Sequence, residues 1–310
     1  MTSKKLGVIC GGSGSSKFVI ALKSLLPLYS RTPVFVANVA DNFWHYGLYI
    51  CPDVDILMYS LAGRLDTKKG WGIENDSSNF HDFYASLNPR EAWFNLGDSD
   101  MALSILRTQL IKKGWKLSRI TEHIRKVLHV KEAVVPATDD DVQTLIKTSQ
   151  GEMHLQDFWV KNKGRPAVLG VEYDGYSNAR PNGETLFALS DRALILPANP
   201  VSSILPTINL LRVSERLMKA RVVGISPFVG SKPYSGPAAK FMRAIGAEPS
   251  SFGVAKLYSA FLKIFLLDSN EDPKTVQRIR DLGIECQRGN IFLRNTKDGK
   301  EIVNEIANLL

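Results

Sequence analysis

Residues 6–25, LGVICGGSGSSKFVIALKSL, predict a strand, a glycine-rich loop and a helix in direct succession. An apolar run at 6–10 stops at the loop 11–17, and apolar residues then recur at helical spacing from Phe18. Such a unit directs backbone N–H groups and the N-terminus of a helix towards a phosphate group. The opening of the chain therefore predicts an α/β fold with a ligand site after its first strand.

The glycine loop fits a phosphate-binding pattern only in part. Gly12 and Gly14 fit the GxGxxG frame, whereas Lys17 stands where the third glycine would be, and the GxxxxGK[ST] frame does not fit. Lys17 favours a phosphate ligand, because a cation at the start of a helix opposes the helix dipole and requires compensation. A tight turn without a ligand is the alternative interpretation.

A second apolar run, residues 34–37, predicts a buried strand, and residues 38–59 follow it as NVADNFWHYGLYICPDVDILMY. This segment combines the carboxylates Asp41, Asp53 and Asp55 with several aromatic residues, a set equipped to hold a metal and a flat ring together. Ligands of open α/β sheets gather at the carboxyl ends of the strands, so both loops should open onto one crevice. The alternatives are that Asp53 caps the next helix and that the aromatic residues form core.

From about residue 62 to residue 129 the pattern changes to helices joined by polar loops. Asp100, Ser104 and Arg107 share one face of a predicted helix. That face is either solvated or turned towards the crevice, where the planar guanidinium of Arg107 would bind a phosphate.

The second half of the chain returns to alternating strands and helices. A predicted strand at 193–196 leads into a loop with Asn199 and Ser203, whose polar groups suit a base or ribose edge, although Ser203 would equally serve as a helix cap. A strand at 221–225 precedes a second loop rich in Gly, Ser and Lys that ends at Lys240. This second loop is a further candidate phosphate site.

Composition narrows the class of protein. The chain has 310 residues, of which 44% are hydrophobic and 23% charged, as expected for a globular protein with a large core. A net charge of +8 favours anionic partners or serves solubility, and the lack of a Lys/Arg run argues against nucleic acid. No apolar run reaches the roughly 18 residues of a membrane span. Three widely spaced cysteines without a CxxC pair indicate a cytoplasmic protein without disulfides or structural zinc.

Motifs spread over nearly the whole chain resemble those of one family, the 2-phospho-L-lactate transferases, which make the deazaflavin coenzyme factor 420. The matching segments are GGSG at 11–14 with Lys17, NVAD at 38–41 with FW at 43–44, CPDVD at 51–55, WGIEND at 71–76, LGD at 96–98 with Asp100 and RT at 107–108, QDFW at 156–159, NP at 199–200 with SI at 203–204, and SP at 226–227 with GPAAK at 236–240.

The resemblance implies a fold and a reaction. It implies a Rossmann-like three-layer core with a mostly parallel sheet at residues 1–61 and 130–310, a small helical insert at 62–129, and a homodimer. In the implied Mg²⁺-dependent reaction, the terminal ribityl hydroxyl of the deazaflavin precursor Fo attacks the lactyl-side phosphorus of lactyl diphosphoguanosine. GMP then leaves.

The chemistry of such a transfer leads to a hypothesis about the roles of individual residues. Asp41 and Asp53 would hold Mg²⁺, while Asp55 would orient or deprotonate the attacking hydroxyl. Phosphate charge would be balanced by Lys17, Arg107 and Lys240, and the deazaflavin ring would be flanked by Phe43 and Trp44. Asp55 and Asn95 fall where the family contacts Fo. The positions expected to bind the substrates are Gly12, Ser13, Gly14, Lys17, Phe43, Trp44, Asp55, Asn95, Asn199, Ser203 and Lys240.

Two departures from the family pattern qualify these roles. Asn42 stands where many members have a second carboxylate, which leaves Asp41, Asp53 and Asp55 for any metal, and LP at 196–197 replaces a common Gly-Pro. Three alternative functions remain open: the same transfer from a phosphoenolpyruvate or phosphoglycerate donor, a non-enzymatic nucleotide-sugar-binding regulator of related fold, and a nucleotide-dependent dehydrogenase.

Overall fold

The computed structural model describes residues 4–25, 31–230, 232–233, 236–293 and 296–310. The strands within these residues are β1 (Lys4–Cys10), β2 (Arg31–Ala37), β3 (Phe43–His45), β4 (Leu48–Ile50), β5 (Ala133–Pro136), β6 (Gln143–Thr148), β7 (Gly151–His154), β8 (Val168–Asp174), β9 (Arg192–Ile195), β10 (Arg221–Ile225), β11 (Phe228–Val229), β12 (Lys232–Pro233), β13 (Ile264–Asp268) and β14 (Glu285–Gly289).

The helices of the same residues flank these strands. They are α1 (Ser13–Leu25), α2 (Pro52–Ala62), α3 (Asn79–Leu87), α4 (Asp98–Lys112), α5 (Leu117–Val127), α6 (Gly183–Ala188), α7 (Leu205–Ile208), α8 (Val213–Lys219), α9 (Ala238–Ala244), α10 (Ser251–Tyr258), α11 (Pro273–Arg280) and α12 (Thr296–Leu309), with π-helical turns at Asp157–Lys161 and Pro200–Ile204.

A central sheet with the strand order β5-β2-β1-β9-β10-β13-β14 organises the described part of the chain, and all of its neighbouring strands are parallel. The chain builds outward from β1 through β2 to β5, then returns to the other side of β1 with β9. This reversal creates a topological switch point between β1 and β9, where open α/β sheets bind their ligands. The prediction of an α/β, Rossmann-like fold with a mostly parallel sheet is confirmed.

Burial on both faces explains why the sheet strands are continuous apolar runs. Leu6, Val8 and Ile9 of β1 have no solvent exposure, and the central part of β2 is equally enclosed. Parallel strands covered by helices on both sides require this composition. Helix α1 begins earlier than predicted, at Ser13, so most of the predicted glycine loop forms its first turn. The Ser15 side chain accepts a hydrogen bond from the Gly11 backbone there, which helps the helix start directly after the glycine pair.

The aromatic segment after β2 forms a hairpin that the sequence did not predict. Strands β3 and β4 pair antiparallel, with Phe43 opposite Ile50. Tyr46 and Gly47 make the turn with φ angles of 52° and 70°. Two successive residues at positive φ are what a tight two-residue hairpin needs, and Gly47 adopts this conformation without strain.

Helices α3, α4 and α5 lie between α2 and β5, where the helical insert was predicted. Helix α5 is amphipathic and buries Leu117, Ile120 and Ile124. Helix α3 has no buried residue. The domain boundaries at residues 62 and 129 stay a prediction. Among the residues described, no helix has both the length and the apolar character needed to cross a membrane.

Candidate active site

A cavity of about 370 Å³ opens at the switch point between β1 and β9. The loops that follow β1, β2 and β9 all reach it, together with parts of the helical insert. Its lining residues are Gly12, Ser13, Gly14, Asp41, Pro52, Asp53, Ile56, Trp71, Trp93, Phe94, Asn95, Leu155, Gln156, Trp159, Val160, Ala198, Asn199, Ser202, Ser203, Gly236 and Pro237. The crevice expected from the sequence therefore exists, and loops from distant parts of the chain share it.

The loops after β1 and β9 touch each other at the base of the cavity. A Cβ atom on Gly11 would lie 2.4 Å from the Cβ of Ser203, so only glycine permits this approach. Asn199 caps the turn that follows β9, because its Oδ1 accepts from the backbone N–H groups of Val201 (3.0 Å) and Ser202 (3.3 Å). The alternative in which Ser203 caps the helix is wrong, since Ser203 lies inside that turn.

The cap leaves the other end of the Asn199 amide free for a ligand. With Oδ1 taken by two backbone donors, Nδ2 must be the donor. Nδ2 is buried and has no hydrogen-bond partner among the residues that the structure describes. A buried amide N–H without an acceptor costs free energy, so a bound molecule that supplies an oxygen here gains affinity.

Asp41 and Asp53 form a buried carboxyl pair on the cavity wall. The two side chains hydrogen-bond to each other, and Asp53 also accepts from the backbone of Gly12. Asn38 and Gln156 donate to the pair through their side-chain amides. Burial raises the pKa of both carboxyl groups, and the charge of Asp53 raises the pKa of Asp41 further.

The chemistry of this pair suits a divalent cation. Two adjacent carboxyl groups cannot both ionise cheaply in a buried place, and a cation between them would remove that penalty. Mg²⁺ is usually held by one or two carboxylates, with waters and substrate phosphates completing its coordination. Among the described residues, no group of three or more His, Cys, Asp and Glu side chains is placed to hold a metal. A site at Asp41 and Asp53 would therefore depend on oxygen atoms from the substrate and solvent.

Asp55 lies on the opposite side of α2 from Asp53. Its Oδ1 forms an ion pair with Nη2 of Arg107, and Nη1 of Arg107 donates to the carbonyl of Tyr49 at 3.1 Å. Arg107 has 1% exposure and does not line the cavity. The structure thus separates Asp55 and Arg107 from the two other carboxylates with which the sequence grouped them.

Burial dominates the electrostatics of this ion pair. It raises the pKa of Asp55 to about 6, although the Arg107 guanidinium acts in the opposite direction. Helix α4 brings Arg107 to α2 and to β4, so the pair joins the helical insert to the core. The sequence left two interpretations for Arg107, exposure to solvent or a position in the crevice, and neither describes the structure. Its guanidinium instead contacts Asp55 and Tyr49.

The aromatic residues of the cavity differ from those expected. Trp71, Trp93, Phe94 and Trp159 line it, together with Asn95, whereas Phe43 and Trp44 do not. Phe43 is buried in an aromatic cluster, with ring centroids 4.9 Å from Phe94 and 5.9 Å from Trp93.

Trp44 is 51% exposed and packs against Tyr49 in the hairpin. The aromatic density at 93–94 and 159 was visible in the sequence. Their convergence was not, because it depends on contacts between distant segments.

The predicted lysines also lie outside the cavity lining. Lys17 donates from Nζ to the carbonyl of Leu293 at 3.3 Å, and Lys240 donates to the carbonyl of Gly164 at 2.6 Å. Gly236 and Pro237 of the second loop do line the cavity. Ser231 of that loop lies outside the described residues.

The fold and this cavity define the class of α/β proteins with a parallel sheet and a pocket at its topological switch point. A profile of the family described as 2-phospho-L-lactate transferase CofD matches residues 7–292. The chain belongs to this family of 2-phospho-L-lactate transferases, and it is a transferase.

Similar proteins extend this result. A 2-phospho-L-lactate transferase from Methanosarcina acetivorans is 37% identical over 306 residues, which cover 97% of this chain and 98% of that protein. A phosphoenolpyruvate transferase from Nocardia farcinica is 30% identical over 323 residues, covering 99% and 95%. A solved structure of a UPF0052 family protein from Bacillus halodurans shares the fold, with a TM-score of 0.66 at 16% identity and 99% coverage of both chains.

Proposed function

We propose that the protein transfers the phospholactyl group of lactyl diphosphoguanosine to the terminal ribityl hydroxyl of Fo, releasing GMP, in the biosynthesis of coenzyme factor 420. The observation that carries this proposal is the buried carboxyl pair of Asp41 and Asp53 in an aromatic-walled cavity at the switch point. Membership of the family supports the transfer. The cavity supplies two carboxyl groups for the divalent cation that a diphosphate requires, and aromatic surfaces for a flat ring.

Attack by an alcohol on a diphosphate needs neutralised charge, in-line placement and removal of a proton. In this proposal Asp41 and Asp53 hold Mg²⁺, which neutralises phosphate charge when bound. The two carboxylates fix its place on the wall shared by the loops after β1 and β2. Because both side chains are buried, electrostatic contacts to them are stronger than they would be at an exposed site.

The donor would lie across the two touching loops. Asn199 Nδ2 donates to a donor oxygen, because it is the buried amide of the cavity wall that lacks an acceptor in the described structure. Ser13 and Gly14, in the first turn of α1, add backbone N–H groups and the positive end of the helix dipole. Ser203 contributes a hydroxyl from the other loop. Lys17 and Lys240 act from outside the lining as longer-range positive charges.

The acceptor ring would lie against Trp71, Trp93, Phe94 and Trp159, whose faces offer stacking surfaces. Asn95 stands beside this wall and suits a polar edge of the ring. Asp55 and Arg107 act as a pair in this proposal: the guanidinium fixes the carboxylate that the family resemblance links to the attacking hydroxyl. The proposal also includes a cytoplasmic location and a homodimer, and light scattering would test the homodimer.

The decisive experiment incubates the protein with Fo, Mg²⁺ and one of three guanylylated donors, carrying lactate, enolpyruvate or glycerate. Mass spectrometry of the deazaflavin product identifies the transferred acid. We expect phospholactyl-Fo and GMP in equal amounts. The phosphoenolpyruvate transferase relative makes the enolpyruvyl product a second candidate. Absence of any new deazaflavin product with all three donors would overturn the proposal and favour a binding protein.

A further inference from the structure

We propose that Asn38 is a positioning residue that holds Asp41 and Asp53 together as one metal-binding pair and ties this pair to the loop after β9. This inference rests on the proposed function for its metal. It gives a role to Asn38, which the sequence placed in the NVAD motif without a function. It also explains how two buried carboxyl groups from different segments are kept side by side.

The side-chain amide of Asn38 contacts three separate segments. Its Nδ2 lies 2.9 Å from Oδ2 of Asp53, 3.4 Å from Oδ1 of Asp41 and 3.3 Å from the carbonyl oxygen of Ser202. Asp53 belongs to α2, Asp41 to the loop after β2, and Ser202 to the turn after β9. One nitrogen atom therefore joins both carboxylates to the far side of the switch point.

The orientation of this amide is fixed from its other end. Oδ1 of Asn38 accepts the backbone N–H of Ala40 at 3.1 Å, so Nδ2 must face the carboxylates. The residue is 1% exposed, and solvent cannot replace its contacts. Asn38 is thus a preorganised donor whose position does not depend on a bound ligand.

Other contacts complete the enclosure of the pair. Gln156 donates from Nε2 to Oδ2 of Asp41 at 3.3 Å. Gly12 donates its backbone N–H to Asp53, and a Cβ on Gly12 would lie 2.3 Å from Oδ1 of Asp53. Part of the glycine loop that the sequence related to phosphate therefore serves to hold a carboxylate.

An uncharged donor suits this task better than a cation would. Two adjacent carboxylates repel each other, and hydrogen bonds from a neutral amide reduce that repulsion without cancelling the negative charge. An arginine in the same place would neutralise the pair and compete with a divalent cation. Groups that orient metal ligands in this way typically change metal affinity by about 10- to 100-fold when removed.

The test measures metal binding directly, on the full chain without substrates. Mn²⁺ replaces Mg²⁺ because its electron paramagnetic resonance signal reports the free ion. The main variant is Asn38→Ser, whose hydroxyl can still accept from Ala40 and keep the local turn but is too short to reach the carboxylates. Asn38→Ala removes both functions. We expect the Mn²⁺ dissociation constant to rise about 10- to 100-fold in both variants.

A matched control distinguishes positioning from a general structural role. Asn182 likewise joins separate segments, since its Nδ2 donates to the carbonyl of Pro136 at 2.7 Å, but it does not line the cavity. Asn182→Ala should keep the wild-type Mn²⁺ affinity. In transfer assays, Asn38→Ser should raise the Mg²⁺ concentration for half-maximal rate while kcat at saturating Mg²⁺ stays near that of the wild type.

Three results would overturn the inference. They are wild-type Mn²⁺ affinity in folded Asn38→Ser, an equal loss in Asn182→Ala, or an absence of Mn²⁺ binding in the wild-type protein. Thermal melts of each variant establish that it is folded. If the wild type binds Mn²⁺ but forms no deazaflavin product, the proposed function fails while the role of Asn38 is still decided by the binding data.

Discussion

Asp53 and Asp55 are two residues apart on α2, yet they belong to different environments. Asp53 faces the cavity and pairs with another carboxyl group, Asp41. Asp55 faces the helical insert and pairs with the Arg107 guanidinium. Two residues along an α-helix are rotated by about 200°, which puts the two side chains on opposite sides of it.

The difference shows that burial alone does not determine what a carboxylate binds. Burial raises the pKa of both residues to about 6. What separates them is the partner: Asp55 has a permanent cation, whereas Asp53 has an amide, a backbone N–H and a second acid. In the first arrangement the carboxylate already has its counter-ion. The second still attracts a cation.

The largest expected effect is a loss of activity when Asp53, the carboxylate that faces the cavity, is replaced. Asp53→Asn removes one of the two charges that would hold Mg²⁺, so we expect the transfer rate to fall by roughly two to three orders of magnitude. Urea unfolding should give a stability equal to or above that of the wild type, because the repulsion with Asp41 is relieved. Activity within tenfold of the wild type would break the comparison.

The next effect is on stability at the insert side. Arg107→Leu leaves Asp55 buried without its cation, and we expect the free energy of unfolding to fall by about 3–5 kcal/mol. Urea-induced unfolding, followed by far-ultraviolet circular dichroism, measures this loss. Adding Asp55→Leu should restore most of the stability, since no uncompensated charge then remains. A single variant as stable as the wild type would show that the ion pair is not needed.

A smaller effect tests which aromatic residues hold the acceptor ring. Trp159→Ala, in the cavity wall, should raise the KM for Fo roughly tenfold, because one stacking surface is lost. Trp44→Ala is the matched variant, since the two indoles are similarly exposed, at 44% and 51%. Steady-state kinetics should show the larger change for Trp159. The reverse order would return the ring to the hairpin, where the sequence placed it.

The smallest effect concerns an exposed carboxylate. Asp98 accepts from the Ser77 hydroxyl and from the backbone of Asn79 and Phe80, and these bonds lower its pKa to about 2. Because the pKa of Asp98 is lower in the folded protein than in the unfolded chain, its ionised form stabilises the folded state at pH values above the unfolded pKa of about 3.9. This stabilisation is lost as the pH falls through the folded pKa.

Amide exchange in α3 measures this contribution. In Asp98→Asn, exchange should be faster than in the wild type at pH 6, and the difference should narrow as pH falls from about 4 towards 2. A difference that is independent of pH would show that the charge of Asp98 has no part in holding the start of α3.

The sequence predicted the sheet and the place of the cavity better than the residues that line it. Apolar runs located β1, β2, β9 and β10 because fully buried parallel strands leave a continuous signal. The loops with Asp41, Asp53 and Asn199 were found because ligands gather at strand ends.

The sequence could not show which side chains face the cavity in the folded protein. It grouped Asp55 with Asp53 by proximity along the chain, although helix geometry separates them. It chose Phe43 and Trp44 over Trp93 and Trp159 because only tertiary contacts bring the latter two to the cavity. Asn38 was noticed only as part of the NVAD motif, because the role of an amide side chain cannot be inferred until its hydrogen-bond partners are known.

Strands β1 and β9 are neighbours in the sheet, where Ile9 pairs with Ile195, but they lie far apart along the chain. At ordinary translation rates, the ribosome releases these two residues roughly 10–40 s apart. During that interval the apolar strand β1 lacks its neighbour β9, and Asn38 lacks the carbonyl of Ser202 to which its amide donates. The nascent protein therefore depends on late chain segments to cover its first strand. Until they are made, the exposed apolar surface favours aggregation and binding by chaperones.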